Sequence, residues 1–147
     1  MYKVEKRFSF PMGHRLSKHA GLCKNIHGHN FTIMVGVKAD KLDDNDMVID
    51  FYNLKTAVEK AVVTTLDHAT VLNSKDPLKE KLTNAGMKVK MIPGQDPTAE
   101  VLSKIIYETL KKSFGLEFPW IQMDYITVFE NENSKATYCE PTVAIFS

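Results

Sequence analysis

Two stretches of alternating hydrophobicity constrain this chain more than any other feature. Tyr2, Val4, Phe8 and Phe10 alternate with Lys3, Glu5, Arg7 and Ser9; Phe31, Ile33, Val35, Val37 and Ala39 repeat the pattern with Thr32, Met34 and Lys38 between them. A period of two puts the apolar side chains on one face of a strand, so each stretch reads as a half-buried strand whose apolar face must be covered. Ile121 to Glu130 and Thr137 to Phe146 supply two further strands around an Asn131-Glu132-Asn133-Ser134 turn.

Between the strand pairs the period changes. Asp50 reads as an N-cap, and Phe51, Leu54, Val58, Ala61 and Val62 recur at helical spacing behind it. Asp96-Pro97 opens a second helix by the cap-then-proline rule, with Val101, Leu102, Ile105, Ile106 and Leu110 as its stripe and Gly115 as its end. Residues 73–95 are polar and lysine-rich, with a short strand near Val89 to Ile92. They form an excursion that covers a sheet edge or reshapes a pocket mouth. The order implies one domain over residues 1–147: an α+β fold with an antiparallel four-stranded sheet and two helices on one face. The exposed sheet edges make edge-to-edge oligomerisation an expectation.

The chemistry concentrates between the first two strands. His27 and His29 are two apart on an extended segment and project from the same face, so they can chelate one ion, and His14 can close a three-nitrogen site. Three imidazoles with an open fourth position is the ligand count of a catalytic zinc; structural zinc is usually closed by four protein ligands. Cys23 then has three readings: a fourth ligand completing a closed site, an inert apolar thiol, or a thiolate beside the metal that moves protons. Spacing alone leaves the three open.

Other candidates carry a structural reading beside the functional one. Asp67-His68 follows the first helix, as an acid/base dyad or as a pair binding the last helix carbonyls. Glu130 ends an apolar strand, either solvated or accepting two parallel hydrogen bonds from the amino and ring N–H edge of a heterocycle. Thr98 and Glu100 fit a pocket or simply a helix N-terminus. His19, Arg15, Lys18 and Lys24 make a basic neighbourhood suited to polyphosphate, and Cys139 reads as core.

With 147 residues and a formal net charge of +1, the chain has no strong field favouring nucleic acid or an anionic membrane. No apolar run approaches the roughly 18–20 residues of a membrane span, and the N-terminus is no signal peptide. Two cysteines, one of them among histidines, favour a reducing cytoplasm over a disulfide.

The sequence resembles the 6-pyruvoyl-tetrahydropterin synthase/6-carboxytetrahydropterin synthase family over nearly its whole length. The carrying segments, in order, are Phe10-Pro11-Met12-Gly13-His14-Arg15-Leu16, Cys23 through His29, Asp50-Phe51 with Leu54-Lys55, Leu66-Asp67-His68, Pro97-Thr98-Ala99-Glu100 and Val128-Phe129-Glu130. The resemblance implies a tunnelling fold (T-fold), in which strands of several subunits close an oligomeric β-barrel. It also implies a homohexamer, a dimer of trimers, with active sites at subunit interfaces. It implies Zn2+ on His14, His27 and His29, and Cys23 as general acid/base. Asp67 and His68 become a second proton-transfer group from a neighbouring subunit. Glu130 becomes the pterin anchor, with Thr98 and Glu100 in the pocket.

The implied substrate is 7,8-dihydroneopterin triphosphate. The three-residue gap between Cys23 and His27 favours the carboxy branch, which releases acetaldehyde toward 7-deazaguanine compounds such as queuosine. The alternatives are the pyruvoyl branch, which eliminates triphosphate toward tetrahydrobiopterin, and a non-catalytic zinc protein with a closed Cys-His-His-His site. Pro11-Met12-Gly13, Asn131 and the long excursion depart from the family pattern.

Overall fold

The structure is a computed structural model that describes residues 1–142. Its frame is a long hairpin in which β1 (Tyr2–His14) pairs antiparallel with β2 (His27–Ala39) along the whole length of both strands. Both strands extend further toward each other than the alternation alone indicates. The extension carries His14, His27 and His29 into the sheet. β5 (Gln122–Asn131) pairs antiparallel with β2, and β6 (Ser134–Tyr138) with β5. The strand expected over 137–146 is thus shorter and earlier, and positions 143–147 lie outside the described residues.

The four-stranded antiparallel sheet is part of a larger, mixed one. β3 (Thr70–Asn73) lies parallel to β1, and β4 (Val89–Ile92) lies parallel to β3, giving the order β4-β3-β1-β2-β5-β6. The expected short strand within the excursion is β4. It covers the β3 edge, so the excursion extends the sheet.

Among the described residues three helices accompany the sheet. The first, α1, runs over 51–66 as an α-helical segment (Phe51–Val58), a π-helical turn (Glu59–Val63) and a last α turn (Thr64–Leu66). Asp50 caps it, accepting from Tyr52 N–H at 2.7 Å. Leu54, Ala57, Val58, Val62 and Leu66 are buried, whereas Phe51, expected on the apolar stripe, is exposed with the Lys6 ammonium over its ring. The short α2 is Leu78–Asn84. The long α3 is Ala99–Glu117, capped by Thr98 and not by Asp96. It passes through Gly115 because Phe114 and Phe118, stacked edge to face and both buried, hold its last turn in the core; a helical glycine costs only about 1 kcal/mol.

Phe8, Phe10 and Met12 of β1, Phe31, Ile33, Val35, Val37 and Ala39 of β2 and Ile126 and Val128 of β5 share one core with α1 and α3. The helices therefore cover one sheet face, and Arg7, Ser9 and Thr32 mark the other. Cys139 falls just beyond β6 and is exposed, not core, because the strand stops at Tyr138.

Candidate metal centre

Hairpin register builds the centre. His14 pairs directly with His27, and Met12 with His29, so all three imidazoles stand on the helix-covered face at the open end of the hairpin. Gly13 and Gly28 face each other between them, and a Cβ on Gly28 would lie 3.3 Å from the Met12 carbonyl oxygen. The ring centroids are 4.5 Å apart for His14–His27, 5.3 Å for His14–His29 and 5.2 Å for His27–His29. One ligand nitrogen from each falls within 4.8 Å of the others.

The outer nitrogens fix the tautomers. A carbonyl oxygen only accepts, so His14 Nδ1–H donates to Pro97 O at 2.9 Å and His27 Nδ1–H donates to Asn25 O at 2.8 Å. Each bond leaves Nε2 as a lone pair, the arrangement that orients an imidazole toward a metal. His14 is fully buried, and its Nε2 has no hydrogen-bond partner among the described residues. Such an orphaned acceptor is costly unless something occupies it. Burial lowers the pKa of His14 below the ordinary imidazole value, against the opposing bond to Pro97, so the ring is held neutral as a ligand must be. The residues fit a metal ion.

Phe31 closes the floor of the site, edge-on to both His14 and His29 at 5.3 Å. The alternation of β2 marks it as core, and nothing in its type signals this second role. Glu130, at the end of β5, brings Oε1 to 4.0 Å from His14 Nε2, placing the expected pterin anchor beside the histidines.

Cys23 sits half-buried in a 3-10 turn (Leu22–Lys24), and among the described residues its thiol is outside the group of close ligand atoms. Its loop is held by contacts that the sequence reading missed. Leu16 N–H donates to Cys23 O, and Arg15 Nε lies 2.9 Å from the fully buried Asp76 Oδ2, an ion pair without hydrogen-bond alignment. Asp96 accepts from Ser17 Oγ at 2.6 Å, Lys18 N–H at 2.8 Å and Asn73 Nδ2 at 3.1 Å. Burial opposes ionisation of Asp96, but these bonds outweigh it and hold its carboxyl below the usual range. The visible signal was the repeated Asp-Pro at Asp76-Pro77 and Asp96-Pro97. Arg15, expected among the polyphosphate cations, is committed to Asp76.

Asp67 and His68 do touch: His68 Nδ1 lies 2.7 Å from Asp67 Oδ1. His68 has φ of 59°, a left-handed turn held by its N–H on Pro11 O and by Lys88 Nζ, which donates to Thr64 O and Asp67 O at 2.7 Å each. Its side chain is 76% exposed, over a shallow groove also lined by His29, Asn30 and Thr70. Thr98 Oγ1 accepts from Val101 N–H at 3.2 Å as the cap of α3, and Glu100 is exposed in the first turn.

The chain is similar to known proteins over nearly its whole length. The profile of the 6-pyruvoyl tetrahydropterin synthase family matches residues 3–141. The 6-carboxy-5,6,7,8-tetrahydropterin synthase of Synechocystis sp. is 39% identical over 98% of both chains. That of Aquifex aeolicus is 32% identical over 95% of this chain and 98% of its own. Among solved structures, an uncharacterized protein from Wolinella succinogenes superposes with a TM-score of 0.78 at 18% identity, over 93% of this chain and 97% of the other. The Plasmodium vivax 6-pyruvoyl tetrahydropterin synthase gives 0.70 at 21% identity, over 94% and 98%. At these identities the two structures speak to the fold alone. Among the described residues no helix is long and apolar enough to cross a membrane.

Proposed function

This chain belongs to the 6-pyruvoyl tetrahydropterin synthase family, and we propose that it is a zinc-dependent lyase forming 6-carboxy-5,6,7,8-tetrahydropterin. In this reading 7,8-dihydroneopterin triphosphate and water give the carboxypterin, acetaldehyde and triphosphate; water supplies the second carboxyl oxygen. The observation that carries it is the three-imidazole cluster with the buried, unpartnered Nε2 of His14. The names of the Synechocystis and Aquifex relatives favour the carboxy product over the pyruvoyl one.

His14, His27 and His29 would hold zinc through Nε2 of His14 and His27 and one ring nitrogen of His29. Zinc there supplies Lewis acidity toward the substrate's side-chain oxygens. Glu130 accepts hydrogen bonds from the amino and ring N–H groups of the pterin, setting the side chain against the histidines. Cys23 Sγ, outside the ligand group, takes and returns a proton on the substrate side chain. His68 is the second proton-transfer group: Asp67 holds Nδ1–H and leaves Nε2 for substrate. Its exposure suits a dyad that serves the site of another subunit, in a homohexameric T-fold barrel of two trimers. Thr98 and Glu100 are further pocket candidates, next to the Pro97 carbonyl that orients His14.

The test is incubation of the zinc-loaded protein with 7,8-dihydroneopterin triphosphate under reducing conditions, assaying acetaldehyde and weighing the pterin. Acetaldehyde with carboxypterin is expected. Triphosphate release with an intact three-carbon side chain would place it in the pyruvoyl branch. Untouched substrate would remove the enzyme assignment and return the chain to a non-catalytic zinc protein.

A further inference from the structure

The sheet face that the helices leave open is electrically uneven. At one end Lys3 and Lys38, paired across β1 and β2, share Asp124 at 2.9 and 3.3 Å. Glu5 on the same strand is taken by the Tyr125 hydroxyl. These groups neutralise one another. At the histidine end the balance differs. Arg7 on β1 and Lys135 on β6 converge on Phe129 of β5, the guanidinium 5.4 Å and the ammonium 5.3 Å from its ring centroid. Register puts them on one face: Thr32 pairs with both Ser9 and Phe129, and Phe129 pairs with Lys135. Among the described residues neither cation has a carboxylate within 4.0 Å.

Arg7 lines a cleft of about 520 Å³ together with Thr32, Phe129 and Glu132 and with His29 and Glu130 beside the metal centre; Lys135 adjoins it through the Phe129 ring. A ligand anchored at Glu130 can therefore extend into the cleft without leaving the protein surface. The aromatic ring pre-orders both long side chains, which lowers the entropy lost when they grip an anion.

We propose that Arg7 and Lys135, braced on Phe129, form the subsite for the triphosphate of the pterin substrate. The inference rests on the lyase reading for the identity of the ligand. Its anion chemistry stands separately: a polyphosphate is the ligand that a guanidinium fork and an ammonium on one open face recognise together. Of the other basic group, His19, Arg15, Lys18 and Lys24, Arg15 is held by Asp76.

The test is calorimetric titration of zinc-loaded protein with inorganic triphosphate, comparing wild type with R7Q, K135Q and the double variant. Parallel titrations use dihydroneopterin, which carries no phosphate. Each single substitution is expected to weaken triphosphate binding about tenfold, with binding weakened further by salt. Dihydroneopterin binding stays unchanged and reports that the variants are folded. KM for the triphosphate substrate rises while kcat changes little. Wild-type triphosphate affinity in the double variant would overturn the subsite, and so would a wild-type protein that binds no triphosphate. If triphosphate binds and the variants lose it while no acetaldehyde forms from the full substrate, the subsite stands and the lyase reading falls.

Discussion

His14 and His68 are both held by hydrogen bonds at Nδ1, yet their surroundings differ in nearly every other respect. His14 is sealed between the Pro97 carbonyl, Phe31 and the two histidines of β2, with a buried nitrogen left over. His68 stands on a left-handed turn, largely in solvent, with Asp67 as its side-chain partner. The first environment keeps an imidazole neutral and aimed, and it is complete within one chain. The second keeps Asp67 and His68 paired while leaving the rest of the ring in solvent. One scaffold thus separates the proposed ligand set, built by strand register, from the proposed proton-transfer groups carried on turns.

Breaking the buried side should have the largest effect. His14→Ala is expected to lose stoichiometric zinc, read by metal analysis of purified protein. With it kcat/KM should fall by about 10³-fold or more, because a metal Lewis acid contributes several kcal/mol. Breaking the side carried on turns should leave the metal in place. Cys23→Ala and His68→Ala are expected to bind one zinc per chain while kcat falls on the order of 10²–10⁴-fold, the usual contribution of a general acid or base. Zinc loss in Cys23→Ala would erase the distinction between the two regions.

A smaller effect is expected at the clip that ties the Cys23 loop down. Asp96→Ala removes the acceptor of three hydrogen bonds and should cost about 2–3 kcal/mol, read as a lower Tm. The pH dependence has a definite sign. The folded pKa of Asp96 lies below the unfolded value of about 3.9. Its contribution is therefore present above that pH and lost as pH falls through the folded value. Stability measured by denaturant titration should drop below about pH 4, and Asp96→Asn should flatten that drop. The smallest effect is at the α3 cap: Thr98→Ala should cost about 1 kcal/mol of stability. An additional rise in KM would mark Thr98 as part of the pocket.

Much of this was legible in the residues, for physical reasons. Alternation reports a half-covered sheet, so β1, β2 and the shared face of His27 and His29 could be read directly, as could Asp50 capping α1. The parallel pair β3 and β4 could not. Each is four residues long, and a short apolar run such as Val71-Leu72 does not reveal a partner far along the chain. Asp96 misled because its carboxylate, which local rules assign to a helix cap, is recruited by Ser17 and Lys18 across the fold. Arg15 misled in the same way, since its buried partner Asp76 lies in the excursion. Cys139 read as core only by continuing a strand that ends at Tyr138. At the site, the cluster of three histidines was readable by type and spacing. Phe31 and the Pro97 carbonyl were not, because an aromatic floor and a backbone acceptor leave no mark in a sequence.

The most direct measurement is zinc-edge X-ray absorption on the zinc-loaded protein. The account predicts three imidazole nitrogens and oxygen ligands near 2.0 Å, with no sulfur in the coordination shell. A sulfur scatterer at about 2.3 Å would make Cys23 a fourth ligand and contradict the open centre.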